Sequence, residues 1–255
     1  MKKTALFLFV AFALTSCIQV RHNMSDESIL KERRQVASFE RITLMGSPTV
    51  IYSQSDSTSV YVDAPADILS CLETTVEDNC LTIRFRDELK NIVNFSMIDA
   101  DDVKVYVTSP DLTDVLLAGS GDFVCRSHFD TDNLRLELKG AGDMEFADVI
   151  CDNLDITLVG SGDLEVRHAV VQVSSSVELV GSGDVKVGYE RTPSTNLRLK
   201  GSGDIKASFI DGGAVVSDLR GSGDISLSGL VRSSQQSLVG TGDYHTNQLT
   251  IIDRP

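Results

Sequence analysis

The chain has 255 residues, a formal net charge of -14 and a pI of about 4.6. So acidic a balance repels phosphate backbones and anionic lipid, which excludes nucleic acid as a natural partner. Its 42% hydrophobic residues suffice for a sizeable core, while the lack of tryptophan argues against a sugar-stacking platform.

The N-terminus carries Lys2 and Lys3, an apolar run over 5–14, and then Leu14-Thr15-Ser16-Cys17. Positive residues, a short apolar stretch and small residues before a cysteine predict a secretory signal over 1–16 that ends in a lipobox. Ten apolar residues are too few to span a bilayer, which needs about 20. Cys17 is then the acylated mature N-terminus and the membrane anchor; an ordinary signal peptide with a chance cysteine is the plain alternative. Removing Lys2 and Lys3 takes the formal charge from -14 to -16, so attachment would come from the lipid. Ile18 and Gln19, with no aspartate after Cys17, point to the outer membrane, with the body at the cell surface or on the periplasmic face. The polar, aperiodic stretch over 17–35 reads as a lipidated tether.

From residue 39 to 110 the sequence alternates as strands do: "FERITL", "TVIYSQS", "SVYVDAP", "LETTVED", "CLTIRFR" and "DVKVYVTSP". A short helical turn is expected near Asp67 to Cys71. The acidic segment "SMIDADD" at 96–102 lacks the glycine and downstream glutamate of a helix-loop-helix calcium site and reads as a solvated loop. Cys71, Cys80, Cys125 and Cys151 invite disulfides in an oxidising compartment. However, strands over 72–77 and 81–86 joined at Asp78-Asn79 would hold Cys71 roughly 20 Å from Cys80, so mostly buried free thiols are expected. The cysteines show no zinc spacing, and His22, His128, His168 and His245 fall at positions that look unrelated.

Beyond residue 118 the tetrapeptide Gly-Ser/Ala/Thr-Gly-Asp begins at Gly119, Gly140, Gly160, Gly181, Gly201, Gly221 and Gly240, at intervals of 21, 20, 21, 20, 20 and 19 residues. Two residues before each start stands leucine: Leu117, Leu138, Leu158, Leu179, Leu199, Leu219 and Leu238. Four before it stand Val115, Leu136, Ile156, Val177 and Leu197, until Ser217 and Gln236 break the pattern. Apolar parity continues through the motif, placing both glycines, the second being Gly121, Gly142, Gly162, Gly183, Gly203, Gly223 and Gly242, on the inward side. The motif therefore reads as a corner, where an inward side chain would collide with the core and where aspartate can accept N–H bonds that the bend frees.

A unit of about 20 residues cannot bury its apolar stripe alone, but stacked units can. The expectation is an all-β, right-handed parallel β-helix whose leucines form a ladder along the axis. One domain would span 36–250, irregular over 36–117 and regular over 118–250, with a tail over 251–255. An antiparallel sandwich is the competing fold, but its hairpins do not demand one identical corner at a fixed period. A second, more variable corner near "RHA", "YERTPST" and "FIDGGA" would absorb the drift in period.

The lipoprotein start, Phe39-Glu40-Arg41-Ile42, "SVYVDAP", "LETTVEDNCLTIRF", "KVYVTSPDL" and the Gly-Ser-Gly-Asp series together resemble the auto-transporter adhesin head domain family, also called the head GIN domain, in surface lipoproteins of the Bacteroidetes type. The resemblance covers roughly residues 36–250. It implies a fold like the pectin-lyase β-helices, no recognised catalytic residue, and a role in adhesion at the surface of Gram-negative bacteria. The insertion "NIVNFSMIDADD" and the polar residues Ser217 and Gln236 depart from the pattern and leave the number of full coils open.

Stacking would align Asp122, Asp143, Asp163, Asp184, Asp204, Asp224 and Asp243 in a column about 4.8 Å apart, where like charges repel. Either backbone N–H groups and adjacent hydroxyls hold each carboxylate in a splayed, screened position, or calcium bridges neighbouring coils. No other cofactor is expected. A lyase would need a convergent basic cluster. Lys139, Lys186, Lys200, Lys206 and Arg220 face outward, but the interleaved Glu137, Glu145, Glu165 and Glu178 suggest ordinary pairing across coils. No nucleophile elbow, phosphate loop or metalloprotease motif occurs. The expected function is non-catalytic: adhesion to a surface glycan or protein. A polysaccharide lyase and a calcium-binding structural envelope protein are the alternatives. An uncapped end would also let coils of different chains stack into homo-oligomers.

Overall fold

The computed structural model describes residues 29–86 and 103–252. Cys17 and the acidic segment at 96–102 lie outside the described residues. The strands are β1 (Leu30–Arg34), β2 (Arg41–Gly46), β3 (Thr49–Gln54), β4 (Ser59–Ala64), β5 (Leu72–Glu77), β6 (Cys80–Phe85), β7 (Lys104–Ser109), β8 (Asp114–Gly119), β9 (Asp122–Gly140), β10 (Met144–Gly160), β11 (Asp163–Gly181), β12 (Asp184–Gly201), β13 (Asp204–Gly221), β14 (Ile225–Gly240) and β15 (Tyr244–Ile251). One short helix, α1 (Ala66–Leu69), falls where the helical turn was expected.

These strands make a parallel β-solenoid of about seven turns with coils of ~20 residues. A straight strand of 19 residues, the length of β9, would run about 63 Å. Yet Gly119 and Gly140 are register partners, so β9 wraps once around and returns one coil higher. Register shifts between neighbouring coils cluster away from the glycine corner: between Phe146 and Asp148, between Cys151 and Asn153, between Val166 and Ser175, and between Phe209 and Gly212, while β12 and β13, of equal length, pair without one. Bulges absorb one residue each, which is how coils of unequal length keep both the leucines and the glycines in register.

Burial follows the alternation. Leu117, Leu138, Leu158, Leu179, Leu199 and Leu219 are fully buried and stack coil on coil. Inside the next wall Phe123 stacks on Phe146 with centroids 5.5 Å apart, Tyr52 stacks on Phe123 at 6.1 Å, and Tyr189 stacks on Phe209 at 5.3 Å. Leu238 departs from the expected ladder and is 48% exposed, because no coil covers the last turn. Among inward positions, Ser217 stays buried and its hydroxyl reaches the Gln235 carbonyl at 3.4 Å, whereas Gln236 is exposed.

The N-terminal part is continuous with the solenoid, but it is not simply irregular coils. β2 pairs in parallel with β6 and β8, and β3 with β7 and β9, so these strands extend the stack. β4 instead runs antiparallel to β7, β1 antiparallel to β4, and β5 antiparallel to β6. For β5 and β6 the reason is local. Asp78 and Asn79 both take positive φ, 49° and 63°, which makes the two-residue hairpin turn that a parallel crossover cannot use. β1 also lies within the stretch expected to be tether, because Leu30–Arg34 find an open edge on β4. α1 packs against β1 and β4 at the N-terminal end of the stack. No described helix is long and apolar enough to cross a membrane.

Candidate functional site

At each corner the first glycine has φ between 139° and 150° from Gly119 to Gly240, a left-handed region that side chains rarely adopt. Its carbonyl accepts two N–H groups of the next coil. Ser182 N–H and Gly183 N–H reach the Gly160 carbonyl at 2.9 and 3.3 Å, and Ser202 and Gly203 reach Gly181 at 2.9 and 3.2 Å. A Cβ on either glycine would overlap the backbone carbonyl of the coil before it. The obstacle is thus the neighbouring coil's backbone and not the core, as parity alone suggested. The second glycines are buried, and the Ser, Ala or Thr between the pair is exposed.

The aspartates also differ from the expected local turn. The N–H of each Asp donates to Oδ1 of the Asp one coil earlier: Asp143 to Asp122 at 3.2 Å, Asp163 to Asp143 at 3.1 Å, Asp184 to Asp163 at 3.1 Å, Asp204 to Asp184 at 3.0 Å, Asp224 to Asp204 at 3.1 Å and Asp243 to Asp224 at 2.9 Å. The column is a ladder between coils. Each N–H dipole stands between two carboxylates and offsets part of their repulsion. This bond and a hydrogen bond from His245 hold the Asp224 carboxyl below the usual range. Among the described residues no group of three or more His, Cys, Asp or Glu side chains is arranged to hold a metal ion.

An eighth corner escaped the motif search. Gly46-Ser47-Pro48-Thr49 pairs with the first repeat, with Gly46 opposite Gly119 and Thr49 opposite Asp122. Gly46 has φ of 104°, and its carbonyl accepts Ser120 N–H at 3.0 Å and Gly121 N–H at 2.9 Å. Proline and threonine hide the resemblance, although Met-Gly-Ser preserves its core.

The outward lysines do not converge. Lys186 Nζ lies 2.7 Å from Glu165 and Lys200 Nζ 2.7 Å from Glu178, both across coils. Lys139, Lys206 and Arg220 instead meet Glu137, Asp204 and Asp218 two residues along their own strands, at 2.6, 3.8 and 2.9 Å. The expected cross-coil pairing therefore holds for two of the five, since a long side chain also reaches the next same-face residue on its own strand.

His128 and His168 are not unrelated, while His22 lies outside the described residues. His128 Nδ1 lies 2.8 Å from Asp148 Oδ2, His168 Nδ1 lies 3.1 Å from Asp148 Oδ1, and His168 Nε2 contacts Glu190 Oε2 at 2.5 Å. Residues 128, 148 and 168 are one coil apart, a signal present in the 20-residue spacing. The Asp148 hydrogen bond, reinforced by the Glu190 charge, raises the His168 pKa against mild desolvation, and the two histidines lower that of Asp148. A second surface group lies on the N-terminal strands, where Lys31 Nζ sits 4.8 and 5.4 Å from the ring centroids of Tyr106 and Tyr61. All four described cysteines are free; Cys125 and Cys151 are buried, while Cys71 and Cys80 are half-buried.

A solenoid with a glycine-cornered, carboxylate-laddered face defines a class of extended β-scaffold. The chain belongs to the family described as "Putative auto-transporter adhesin, head GIN domain", whose model matches residues 38–189. No curated protein matches the chain. Among solved structures, a "putative adhesin" from Bacteroides fragilis superposes with a TM-score of 0.75 at 24% identity. A "putative lipid binding protein" and a "putative adhesin", both from Parabacteroides distasonis, each give 0.69, at 22% and 20% identity. Each of the three covers 86% of this chain and 97% of the other. At such identities they share the fold.

Proposed function

We propose that this protein is a non-catalytic adhesin of the outer membrane, anchored through a lipid on Cys17 and projecting the solenoid as a rigid binding body. The observation that carries the reading is the use of the outward charges. Basic side chains sit against acids of the same or the next coil, and each aspartate from Asp122 to Asp224 accepts a backbone N–H. Such a surface suits many weak contacts over a long face better than one reacting centre. The partner class is a surface glycan or protein. The experiment is adhesion of cells that make the full chain to immobilised glycans and host proteins, compared with cells lacking it. Ligand captured unchanged supports the reading; release of unsaturated uronate ends, lost on Lys186→Ala or Lys206→Ala, would replace it with the lyase. Palmitate labelling that survives in the wild type and disappears in Cys17→Ala tests the anchor.

A further inference from the structure

The two ends of the solenoid are unlike. At the N-terminal end the stack finishes in antiparallel pairing, with the short strands β1 and β5 outermost and α1 packed on β1 and β4. At the other end β15 pairs only with β14, through residues 225–231, and residues 233–240 of β14 pair only with β13. Almost a full coil of backbone therefore presents an unpaired edge, a ready template for another strand.

Three observations say what fits that edge. Leu238 and Ile251, which pair with buried Leu219 and Val231 and so hold the inward parity, are 48% and 60% exposed at the mouth, with Leu249 half-buried beside them. The charge also falls away. Residues 225–252 carry only Arg232 and Asp243 besides His245, whereas 143–162 carry five acids and no base. Two such ends can meet without the repulsion that the lateral faces would impose. Finally, the mouth is an open depression of about 270 Å³ lined by Ser234, Gln236, Thr246, Leu249 and Ile251, with hydroxyl and amide groups able to bond across a symmetry axis. These polar groups also keep the free end soluble, so association is reversible.

We propose that the C-terminal mouth binds the C-terminal mouth of a second copy. Because one mouth meets the same mouth of the other copy, the contact is isologous and does not propagate head to tail; it is a two-fold, self-limiting pair. β1 and β15 stand at opposite edges of the sheet, so the pair holds its two β1 strands at its far ends, roughly 70 Å apart at ~4.8 Å per coil. Resting on the adhesion reading, this assigns the partner: an identical chain on a facing membrane. A mouth one coil across offers on the order of 500 Å² per copy, below the ~800 Å² of a standard stable interface, so single pairs are weak and arrays of anchored chains supply the strength.

The test has two arms. Sedimentation of the purified full chain should show a concentration-dependent dimer, with association weakened at least tenfold in Gln236→Lys/Ile251→Lys, whose circular dichroism and melting match the wild type; if that variant misfolds, Thr246→Lys at the same mouth replaces it. A monomer at every concentration up to about 100 μM, or a dimer indifferent to a folded mouth variant, overturns the proposal. In the second arm, cells making the full chain are mixed with differently labelled cells that do or do not make it. Clusters restricted to producing cells support the pairing. Clusters that incorporate non-producing cells equally overturn it as the adhesive contact while leaving adhesion itself standing, and absence of both clustering and ligand capture removes the adhesion reading.

Discussion

Gly181→Ala tests the stacking argument most directly. Gly181 has φ of 139°, and its absent Cβ faces the Gly160 carbonyl, which accepts Ser182 N–H at 2.9 Å and Gly183 N–H at 3.3 Å. Alanine in that backbone region costs about 1–3 kcal/mol. Driving the Gly160 carbonyl away also strains or breaks two hydrogen bonds, about 1 kcal/mol each. The expected loss is about 3–5 kcal/mol, a fall in Tm of roughly 6–20 °C for a domain of this size. Calorimetry of the full chain measures it, and amide exchange should show lost protection centred on residues 160–183. Ser182→Ala, at the exposed position between the glycines, should stay within about 0.5 kcal/mol. A Gly181→Ala protein that melts within 2 °C of the wild type would refute the view that close backbone approach selects the corner residues.

Asp163→Ala removes the acceptor of Asp184 N–H and should cost about 1 kcal/mol, whereas Asp163→Asn keeps an Oδ1 acceptor, relieves like-charge repulsion and should equal or exceed the wild type in urea unfolding. Calcium takes six to eight oxygens, and one carboxylate oxygen per coil is already engaged, so melting should be the same in calcium and in chelator; a calcium-dependent rise abolished in Asp163→Asn/Asp184→Asn would restore the ligand array. Protonated His168, raised by Asp148, stabilises the fold below about pH 6.5, and this contribution is lost as pH climbs through the folded value. Lowered Asp148 contributes above about pH 3.9 and loses its effect as pH falls through its folded value, so the ladder helps most between those limits, and His168→Gln should flatten the alkaline side of a plot of Tm against pH. Burial pushes the Cys125 and Cys151 thiols up to about 11 and 12, so in the native protein Cys71 and Cys80 should alkylate first and the buried pair only on unfolding.

The regular half of the fold could be read from sequence because a period of about 20 residues repeats both the inward leucines and the corner glycines. Seven coincidences leave little room for another architecture. The antiparallel cap was harder to see, since β4 alternates like any other strand, the polar Leu30–Arg34 shows no alternation at all, and only the Asp78-Asn79 turn betrays a reversal. Parity put both glycines inward, whereas the structure buries the second of each pair and leaves the first half-buried or, at Gly240, exposed; nor could parity show that the body they avoid is a carbonyl one coil away. The aspartate ladder was invisible for the same reason: a bond from Asp184 N–H to Asp163 Oδ1 depends on axial stacking, whereas an Asx turn uses its own loop. The histidine and carboxylate ladder could have been found by asking of residues 128, 148 and 168 the question already asked of the glycines.

The direction of the strands has a mechanical consequence. Every coil lies across the axis, and tension between the N-terminal end and the far mouth would load the hydrogen bonds between coils one rung at a time instead of shearing them together. Such a stack yields by peeling. Each coil that lets go releases ~20 residues, a slack of roughly 60 Å at ~3.3 Å per residue, while the coils beneath keep their shape. A tether built this way lengthens under a tug, lowers the force on its contact and can rewind when the pull relaxes, because the next coil down is always the template for the one just lost.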